Sequence, residues 1–358
     1  MSLRTGITTG TCAAAAARAA ATVLAGLPPP ADVPVELPDG RTVIVPVLRA
    51  GVSVDPASTP TTATAAVRKD AGDDPDVTDG LEIVATVSWN DGSEVTFSAG
   101  EGVGTVTKPG LQVPPGQPAI NPVPRRMILA AVRQVTSRGL HVQIAIPGGR
   151  EIAGRTFNPR LGIAGGLSIL GTTGIVRPYC TRALHDALRC AVDVAVACGQ
   201  TALVLVPGAI GARAARARFS LGDQQLIEVG NAWGFVLDLL PRHSWRALLL
   251  VGHPGKLAKL AAGQWDTHSR RSDPPLGLLA ELCGTGVGGP GSGVGATTTE
   301  GLFAALDERR RKEVGNALAA RIRRAVADRL QAVWPVAVLL VNMSGQTLGC
   351  DGDLSPWR

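Results

Sequence analysis

The chain has 358 residues, of which 45% are hydrophobic and 18% are charged, with a formal net charge of +6. This composition excludes a disordered chain, and the length suffices for one large domain or two ordinary domains with separate cores. Only 5 of the 35 basic residues are lysine and 3% of all residues are aromatic. Dispersed arginines with few stacking side chains argue against nucleic-acid binding. A ligand with several carboxylates or phosphates is one explanation of the arginine excess. A GC-rich genome would also raise the arginine content.

An α+β domain is predicted over residues 1–155. Its first element is an alanine-rich helix over 8–26, with a threonine at the start and Gly26 just past the end. Strand pairs that alternate with helices are typical of this class. The other predicted elements are hairpins at 35–48 and 81–99, a helix beginning near Pro60, a helix at about 122–138 and a strand at 141–147.

A Rossmann-like parallel α/β domain is predicted over residues 156–358, so the whole chain is expected to combine α+β and α/β classes in two domains. Short, continuous apolar strands, each followed by a Gly or Pro turn and a helix, indicate a parallel sheet with covered faces. Ligands of such sheets bind at the carboxyl ends of the strands. The predicted strands are 202–207, 225–230, 247–252 and 336–342, and the predicted helices are 180–198, 231–240, 254–262 and 300–333.

Six cysteines form no Cys-x-x-Cys pair and no zinc-type spacing, so we expect mostly buried thiols in a reducing cytosol. The first 11 residues lack the apolar core of a signal peptide. Apolar runs near 161–176 and 191–206 are too short or too interrupted by polar residues to span a membrane. A soluble, cytoplasmic protein is therefore expected.

The segment 156–178 is apolar, yet five glycines interrupt it. Each glycine weakens a regular element, so this density indicates sharp turns or a backbone that closely approaches something. A bound small molecule is the expected neighbour. The predicted cofactor contacts are Gly165, Gly166, Gly171, Thr172 and Thr173 in this segment, with Gly208 and Asn231 in glycine turns of the second domain.

Two features of the first domain indicate anion binding. The helix start at Thr8 and Thr9 would present backbone N–H groups and hydroxyls to an anion, although an ordinary N-cap explains the same residues. The segment 100–110 is similar to glycine loops that cover phosphates, with Lys108 as its charge. It lacks the Gly-Lys-Ser/Thr ending of a P-loop, so its phosphate signal is weak.

The loop 69–80 contains five aspartates. Carboxylates this close can bind a cation or raise one another's pKa toward general-base use. Their spacing does not match a calcium loop, and a solvated acidic surface is the alternative. Asp70 and Asp74 are the candidate bases of this loop.

The segment 252–273 brings two histidines close to turns and to basic residues. A helix start beside cationic side chains suits carboxylate binding, although a polar surface loop is the alternative. His253 and His268 are candidate catalytic bases, and the predicted substrate contacts are Lys256, Ser269 and Arg270.

Six unusual segments occur in order between residue 3 and about residue 345: GITTGTCAAAAARAA, KDAGDDPDVT, GEGVGTVTKPGL, INPVPRRMI, TFNPRLGIAGGLSILGTTGIV and GHPGKLAKLAAGQWDTHSR. Together they resemble the CbiD family, the cobalt-precorrin-5B carbon-1 methyltransferases of anaerobic-type cobalamin biosynthesis. The chain departs from the family at Ile7, where an aromatic residue is common, and at Trp233-Gly234-Phe235 after Asn231. These departures concern the pocket and leave the reaction class intact.

The resemblance implies methyl transfer from S-adenosyl-L-methionine to carbon 1 of cobalt-precorrin-5B, giving cobalt-precorrin-6A. The cobalt would arrive with the substrate, so no protein metal site is expected. The acetate and propionate groups of that substrate suit an arginine-rich cleft. Because a sulfonium donor must be held in line with a nucleophilic carbon, positioning would supply most of the catalysis. We expect the macrocycle between the two domains, with Arg160 among its contacts and the segment 156–178 lining the cleft.

Two other functions stay open at this point. One is a non-catalytic tetrapyrrole-binding protein, which would bind the macrocycle without a methyl donor. The other, less favoured, is a phosphotransferase that uses the glycine loop 100–110 and the acidic loop as a metal site. A homo-oligomer is compatible with the sequence.

Overall fold

The structure is a computed structural model that describes residues 3–53, 62–284, 298–331 and 334–358. The chain divides into two compact units, Met1–Ala183 and Leu184–Arg358. The division predicted near residue 155 lies earlier in the chain. The difference arises because the segment 156–178 pairs with strands and with a helix start of the first unit.

The first unit contains short and long strands around an N-terminal helix. Its described helices are α1 (Thr9–Leu24), α2 (Pro122–Arg133) and α3 (Gly149–Ala153). Its described strands are β1 (Gly6–Ile7), β2 (Asp32–Glu36), β3 (Thr42–Pro46), β4 (Arg49–Ser53), β5 (Thr62–Arg68), β6 (Glu82–Trp89), β7 (Val95–Ala99), β8 (Thr105–Val106), β9 (Leu140–Ala145), β10 (Ile163–Ala164) and β11 (Ile175–Val176).

The main sheet of the first unit has the strand order β4-β5-β6-β9-β7 and is antiparallel except for the pair β7–β9. Helix α1 packs against β5, β6 and α2. The alanines of α1 are buried against Ala63, Ala65 and Ala85 of the sheet. Small side chains on both surfaces let the helix backbone approach the sheet closely, which explains the alanine-rich sequence.

The helix predicted to begin near Pro60 is wrong over Thr62–Arg68, which forms strand β5; Pro60 itself lies outside the described residues. The strand pairs with β4 on one side and β6 on the other. Ala63, Ala65 and Val67 are each 0% exposed. Alanine favours helix in isolation, but here pairing on both edges and burial beneath α1 outweigh that preference.

The second unit alternates strands and helices. Its described helices are α4 (Thr181–Ala197), which begins just before the division, α5 (Ala209–Arg218), α6 (Trp233–Leu239), α7 (Pro254–Ala261), α8 (Leu276–Cys283), α9 (Thr299–Ala305) and α10 (Glu308–Leu330). Its described strands are β12 (Ala202–Val206), β13 (Leu226–Glu228), β14 (Ala247–Gly252), β15 (Val336–Val341) and β16 (Thr347–Asp351).

One sheet with the order β13-β12-β14-β15-β16 forms the centre of the second unit. The first four strands are parallel and β16 is antiparallel to β15. Leu203 and Leu205 contribute to the core on one face, and Val204 and Val206 to the core on the other. The predicted mixed α/β class is confirmed. The strand order differs from that of dinucleotide-binding sheets, so the Rossmann-like detail is not confirmed.

The helix predicted over 300–333 is divided into α9 and α10. Leu306 is extended after α9, and Asp307 begins α10 as its N-cap. The Asp307 carboxylate accepts a hydrogen bond from the Arg310 N–H at 2.8 Å. An N-cap satisfies a backbone donor that the first turn of a helix leaves unpaired, which fixes the break here.

Candidate functional site

The glycine-rich segment 156–178 packs tightly against other parts of its own unit. A Cβ atom on Gly166 would lie 2.3 Å from the carbonyl oxygen of Gly102. A Cβ atom on Gly171 would lie 2.3 Å from the hydroxyl oxygen of Thr8. The close neighbour at these two glycines is the protein's own chain, so they do not by themselves indicate a ligand. Their contact with a cofactor stays a prediction.

Gly165 differs from its neighbours in this segment. Its φ is +82°, and a Cβ atom there would meet no described atom within 4 Å. Thr172 and Thr173 are exposed, and the Thr173 hydroxyl donates to the carbonyl oxygen of Ile175 at 3.1 Å. Of the predicted cofactor residues in this segment, Gly165 therefore combines open space with a backbone conformation that favours glycine.

Gly165 lines a cavity of about 330 Å³, which we call the Lys108 cavity. Lys108 from the glycine loop and Arg150 from α3 bring two cationic side chains to its wall. Two cations beside an open backbone suit the binding of a carboxylate. The remaining lining residues are Thr107, Ala153, Gly154, Pro159, Gly162, Ile163, Ala164 and Gly166.

A second cavity, of about 140 Å³, lies at the start of α1, and we call it the Lys69 pocket. Eight of its 11 lining residues have polar or charged side chains, among them one cation and one carboxylate. Lys69 is 2% exposed, although lysine is rarely buried unless it is paired. The lining residues are Thr8, Thr9, Lys69, Asp76, Thr78, Thr156, Asn158, Leu167, Ser168, Leu170 and Val176.

Lys69 and Asp76 form an ion pair in this pocket. The Lys69 Nζ donates to Asp76 Oδ2 at 2.8 Å, and the other carboxylate oxygen accepts from the N–H and the hydroxyl of Thr78, each at 2.8 Å. Burial raises the pKa of Asp76, but the hydrogen bond and charge of Lys69 outweigh it and leave that pKa below its usual range. Asp76 is therefore ionised at neutral pH.

The start of α1 is already partly satisfied by the protein. The Gly10 N–H donates to the carbonyl oxygen of Leu170 at 3.0 Å, and the Thr11 N–H donates to the Thr8 hydroxyl at 3.2 Å. The Thr9 hydroxyl donates to the same Leu170 carbonyl at 3.2 Å. Some donors of this helix start are therefore engaged by Leu170 and by Thr8, and anion binding at Thr8 and Thr9 stays a prediction.

The aspartates predicted as bases hold the acidic loop in place. Asp70 pairs with Arg4 at 2.5 Å, and the hydrogen bond from Arg4 holds the pKa of that carboxyl below its usual range. A general base at neutral pH needs the opposite shift. Asp74 accepts a hydrogen bond from the Tyr179 N–H at 2.9 Å. The structure lends neither residue support as a base, and the roles stay predictions.

In the second unit, the helices that follow two neighbouring strands pack on opposite faces of the sheet. Strand β12 leads through Gly208 into α5, while β14 leads through His253 into α7. Residues of α5 belong to one core and residues of α7 to the other. Such a point of divergence is where open α/β sheets bind ligands. A Cβ atom on Gly208 would meet no described atom within 4 Å, so the turn is open there.

His253 acts as the N-cap of α7. Its Nδ1 accepts from the Gly255 N–H at 3.0 Å, and its Nε2 lies 2.7 Å from the carboxylate of Glu300. Because Nδ1 accepts a hydrogen bond, the ring proton is on Nε2 and is donated to Glu300. Both ring nitrogens are thus engaged, which leaves none for proton transfer in this arrangement.

The loop 266–272 is tied to the carboxyl edge of the sheet. Asn231 accepts from the Thr267 hydroxyl at 3.2 Å. The buried Lys259 donates to Ser272 Oγ at 2.8 Å and to the Thr267 carbonyl oxygen at 3.3 Å. Asn231 therefore positions a loop here, and its contact with a cofactor stays a prediction.

The predicted substrate contacts of the second unit lie in or near this loop. His268, Ser269 and Arg270 are exposed, and the His268 Nδ1 accepts from the Arg270 N–H at 3.2 Å. Lys256 is half-buried on α7, and burial lowers the pKa of its ammonium group. In the first unit, Arg160 lies with its guanidinium carbon 5.8 Å from the Phe157 ring centre.

The predicted residues thus fall into separate places. Thr8 and Thr9 line the Lys69 pocket, and Lys108, Gly165 and Gly166 line the Lys108 cavity. The other predicted contacts of the first unit, Arg160, Gly171, Thr172 and Thr173, line neither, and the remaining predicted contacts lie in the second unit. The sequence interpretation missed Arg150, Lys69 and Glu300. Lys69 had a signal, since it directly precedes the aspartates, whereas Glu300 is 47 residues from His253.

Among the described residues, no three His, Cys, Asp or Glu side chains are grouped so as to hold a metal ion. Within the same ranges, no helix has the length and apolar content needed to cross a membrane.

A family model described as CbiD matches residues 1–178, and a model described as CbiD, C-terminal domain matches residues 266–352. A protein of Syntrophotalea carbinolica named cobalt-precorrin-5B C(1)-methyltransferase is 49% identical over 356 residues, which is 99% of each chain. A protein of the same name from Desulfitobacterium hafniense is 40% identical and covers 98% of this chain and 90% of its own.

A crystal structure titled as a cobalamin biosynthesis protein (cbiD) from Archaeoglobus fulgidus is 30% identical. The match covers 75% of this chain and 83% of that one, with a TM-score of 0.39. Because the first relative matches at 49% identity from end to end, and because both family models match, the chain belongs to the CbiD family.

Proposed function

We propose that this protein methylates carbon 1 of cobalt-precorrin-5B, giving cobalt-precorrin-6A in cobalamin biosynthesis. The observation that carries the proposal is the 49% identity over 99% of both chains with a relative that bears this activity as its name. Neither a non-catalytic tetrapyrrole carrier nor a phosphotransferase has a counterpart in the names of the relatives. The methyl donor would be S-adenosyl-L-methionine, which supplies an electrophilic methyl group on a sulfonium when bound.

The chain's own residues contribute mainly by positioning. A methyl transfer needs the nucleophilic carbon and the donor methyl group held in line, and fixing that geometry lowers the barrier substantially. The Lys108 cavity suits this purpose, since Lys108 and Arg150 would bind an acetate or propionate group of the macrocycle through charge-assisted hydrogen bonds. The cobalt would belong to the substrate.

The rearrangement of the macrocycle's conjugated double bonds also requires a proton transfer, for which a base is needed. Asp70, Asp74, His253 and His268 stay our candidates for the base. Of these, His268 is exposed in the loop 266–272, whereas Asp70 is paired with Arg4 and His253 is hydrogen-bonded to Glu300. His268 is therefore the first to test.

The test is a direct assay of the purified protein. Incubation with cobalt-precorrin-5B and S-adenosyl-L-methionine should add one methyl group, seen by mass spectrometry, and an Arg150→Met variant should raise KM for the macrocycle by about tenfold. Arg155→Met is the matched control, because Arg155 is exposed and does not line the cavity. No gain of a methyl group with authentic substrate would refute the proposal.

A further inference from the structure

The hydroxyl groups of the Lys69 pocket donate their protons to the protein itself. Thr11 donates to the Gly174 carbonyl oxygen at 2.7 Å, so in the 3.1 Å contact between the Thr8 and Thr11 hydroxyls Thr8 is the donor. The other four hydroxyls donate as follows: Thr9 to the Leu170 carbonyl at 3.2 Å, Thr78 to Asp76 at 2.8 Å, Thr156 to the Ala153 carbonyl at 2.7 Å and Ser168 to Asn158 at 3.2 Å.

Each of these hydroxyl oxygens has two lone pairs, and those of Thr8, Thr9 and Thr156 each already accept one backbone N–H. At least one lone pair on each oxygen is left, so the pocket retains acceptors after its hydroxyl protons are spent. Asp76 adds to them, because its carboxylate has about four lone-pair sites and three hydrogen bonds reach it from Lys69 and Thr78. A wall of oxygen lone pairs that includes a carboxylate suits a group with several N–H donors and a positive charge.

Lys69 supplies hydrogen-bond donors, rather than acceptors, to the same pocket. Its ammonium has three N–H donors, and among the described residues its side-chain hydrogen bond is the one to Asp76 at 2.8 Å. Two donors therefore remain on a side chain that is 2% exposed. A buried ammonium with two unused donors favours a carboxylate as its second partner, because buried donors without an acceptor are costly.

We propose that the Lys69 pocket binds an α-amino-acid group, with the carboxylate on Lys69 and the ammonium on Asp76 and the hydroxyl oxygens. Resting on the proposed function, this group is the amino-acid end of the methyl donor. The volume of about 140 Å³ leaves room for such a group, since a cavity needs only about 10–15 Å³ of this space to hold one water.

An acetate group of the macrocycle fits this pocket less well. It would supply a carboxylate for Lys69 but no donor for Asp76, so two carboxylates would share one ammonium. Like charges at such short range disfavour joint ionisation. A zwitterion satisfies both residues at once, which is the reason for assigning the pocket to the donor.

The first experiment varies the ligand and leaves the protein unchanged. Calorimetry would compare S-adenosyl-L-homocysteine with two analogues, one lacking its α-carboxylate and one lacking its α-amino group. Each analogue should bind about 10- to 100-fold more weakly, the range for losing a hydrogen bond to a charged partner. Equal affinities for all three would overturn this inference and leave the proposed function standing. Absence of any binding of S-adenosyl-L-homocysteine would overturn both.

The second experiment locates the carboxylate partner. In Lys69→Met, S-adenosyl-L-homocysteine and its analogue without the carboxylate should bind within about threefold of each other, because the group that distinguishes them is gone. Lys312→Met is the matched control, since Lys312 is exposed on α10 and should retain the full difference. A full difference in Lys69→Met would overturn the assignment. Thermal melting shows whether Lys69→Met is folded. If it is unfolded, the comparison of the three ligands on the unaltered protein tests the inference by itself.

Discussion

The glycine-rich segment of the first unit and the strand edge of the second unit carry similar sequence signals, yet the structure uses them differently. Gly166 and Gly171 are needed because other parts of the same unit lie against them, the Gly102 backbone at Gly166 and the Thr8 side chain at Gly171. Gly208 follows a parallel strand and stands open, as the general rule for such sheets predicts. Glycine density therefore indicates close approach, but the identity of the approaching group depends on tertiary structure.

The charged residues show the same contrast. In the first unit the buried pair of Lys69 and Asp76 lines a pocket and keeps hydrogen-bonding capacity for a ligand. In the second unit His253 and Glu300 are hydrogen-bonded to each other at the start of helix α7. In a sequence, a histidine beside a turn suggests catalysis, and a lysine beside aspartates suggests a solvated surface. In the structure His253 caps a helix, and Lys69 is buried in a pocket.

The sharpest test of the glycine comparison uses two adjacent residues. Gly166→Ala should lower the free energy of unfolding by about 3 kcal/mol, or ~6–12 °C in Tm, because its Cβ would collide with the Gly102 backbone. Gly165→Ala should cost about 1 kcal/mol, from its positive φ alone. Thermal or denaturant unfolding measures both, and equal losses would refute the distinction.

The exposed loop of the second unit is tested by activity. His268→Ala should lower kcat by about 100-fold if His268 is the base, with little change in Tm because the side chain is exposed. Arg160→Ala should likewise lower turnover more than it lowers thermal stability. Loss of folding in either variant would assign that residue to structure instead.

The ion pair of the first unit predicts a pH-dependent stability. The folded pKa of Asp76 lies below its unfolded value of about 3.9, so its contribution is present above that pH and is lost as the pH falls through the folded pKa. Asp76→Asn should cost about 2 kcal/mol at pH 7, and the difference from the unaltered protein should shrink below about pH 4. Denaturant unfolding from pH 7 to pH 3 measures it, and a difference independent of pH would contradict the ion pair.

The capping role of His253 predicts a smaller effect. His253→Ala should cost about 1 kcal/mol, the usual value for an N-cap, whereas His253→Asn should restore most of it because asparagine caps well. Denaturant unfolding again provides the measurement. An asparagine variant as unstable as the alanine variant would show that the bond to Glu300, and not the cap, matters.

The smallest effect concerns Cys12 in α1. Burial raises the pKa of its thiol to about 12, so it should not react with a thiol reagent at pH 8 in the native protein. Cys12→Ser should therefore leave the number of thiols labelled in the native state unchanged. A loss of one labelled thiol would show that the alanine-rich packing of the first unit opens.

Much of the architecture could be predicted from local pattern. The helix at the N-terminus and the apolar parallel strands were predicted because the alanine run and the continuous apolar runs each have one strong structural meaning. Strand β5 was missed because its alanines favour a helix locally, and only pairing with β4 and β6 reverses that. The site residues Arg150 and Glu300 were missed because their partners are remote in sequence.

The sequence by itself determined the family and the mixed α/β class, since six ordered segments and the periodicity of the strands are properties of the linear chain. Tertiary structure alone decided which glycines face backbone and which face open space. It also decided that Lys69, rather than the more conspicuous histidines, lies buried in a pocket with unused donors. The physical reason is that burial and hydrogen-bond partners depend on contacts between distant segments, which local sequence pattern does not specify.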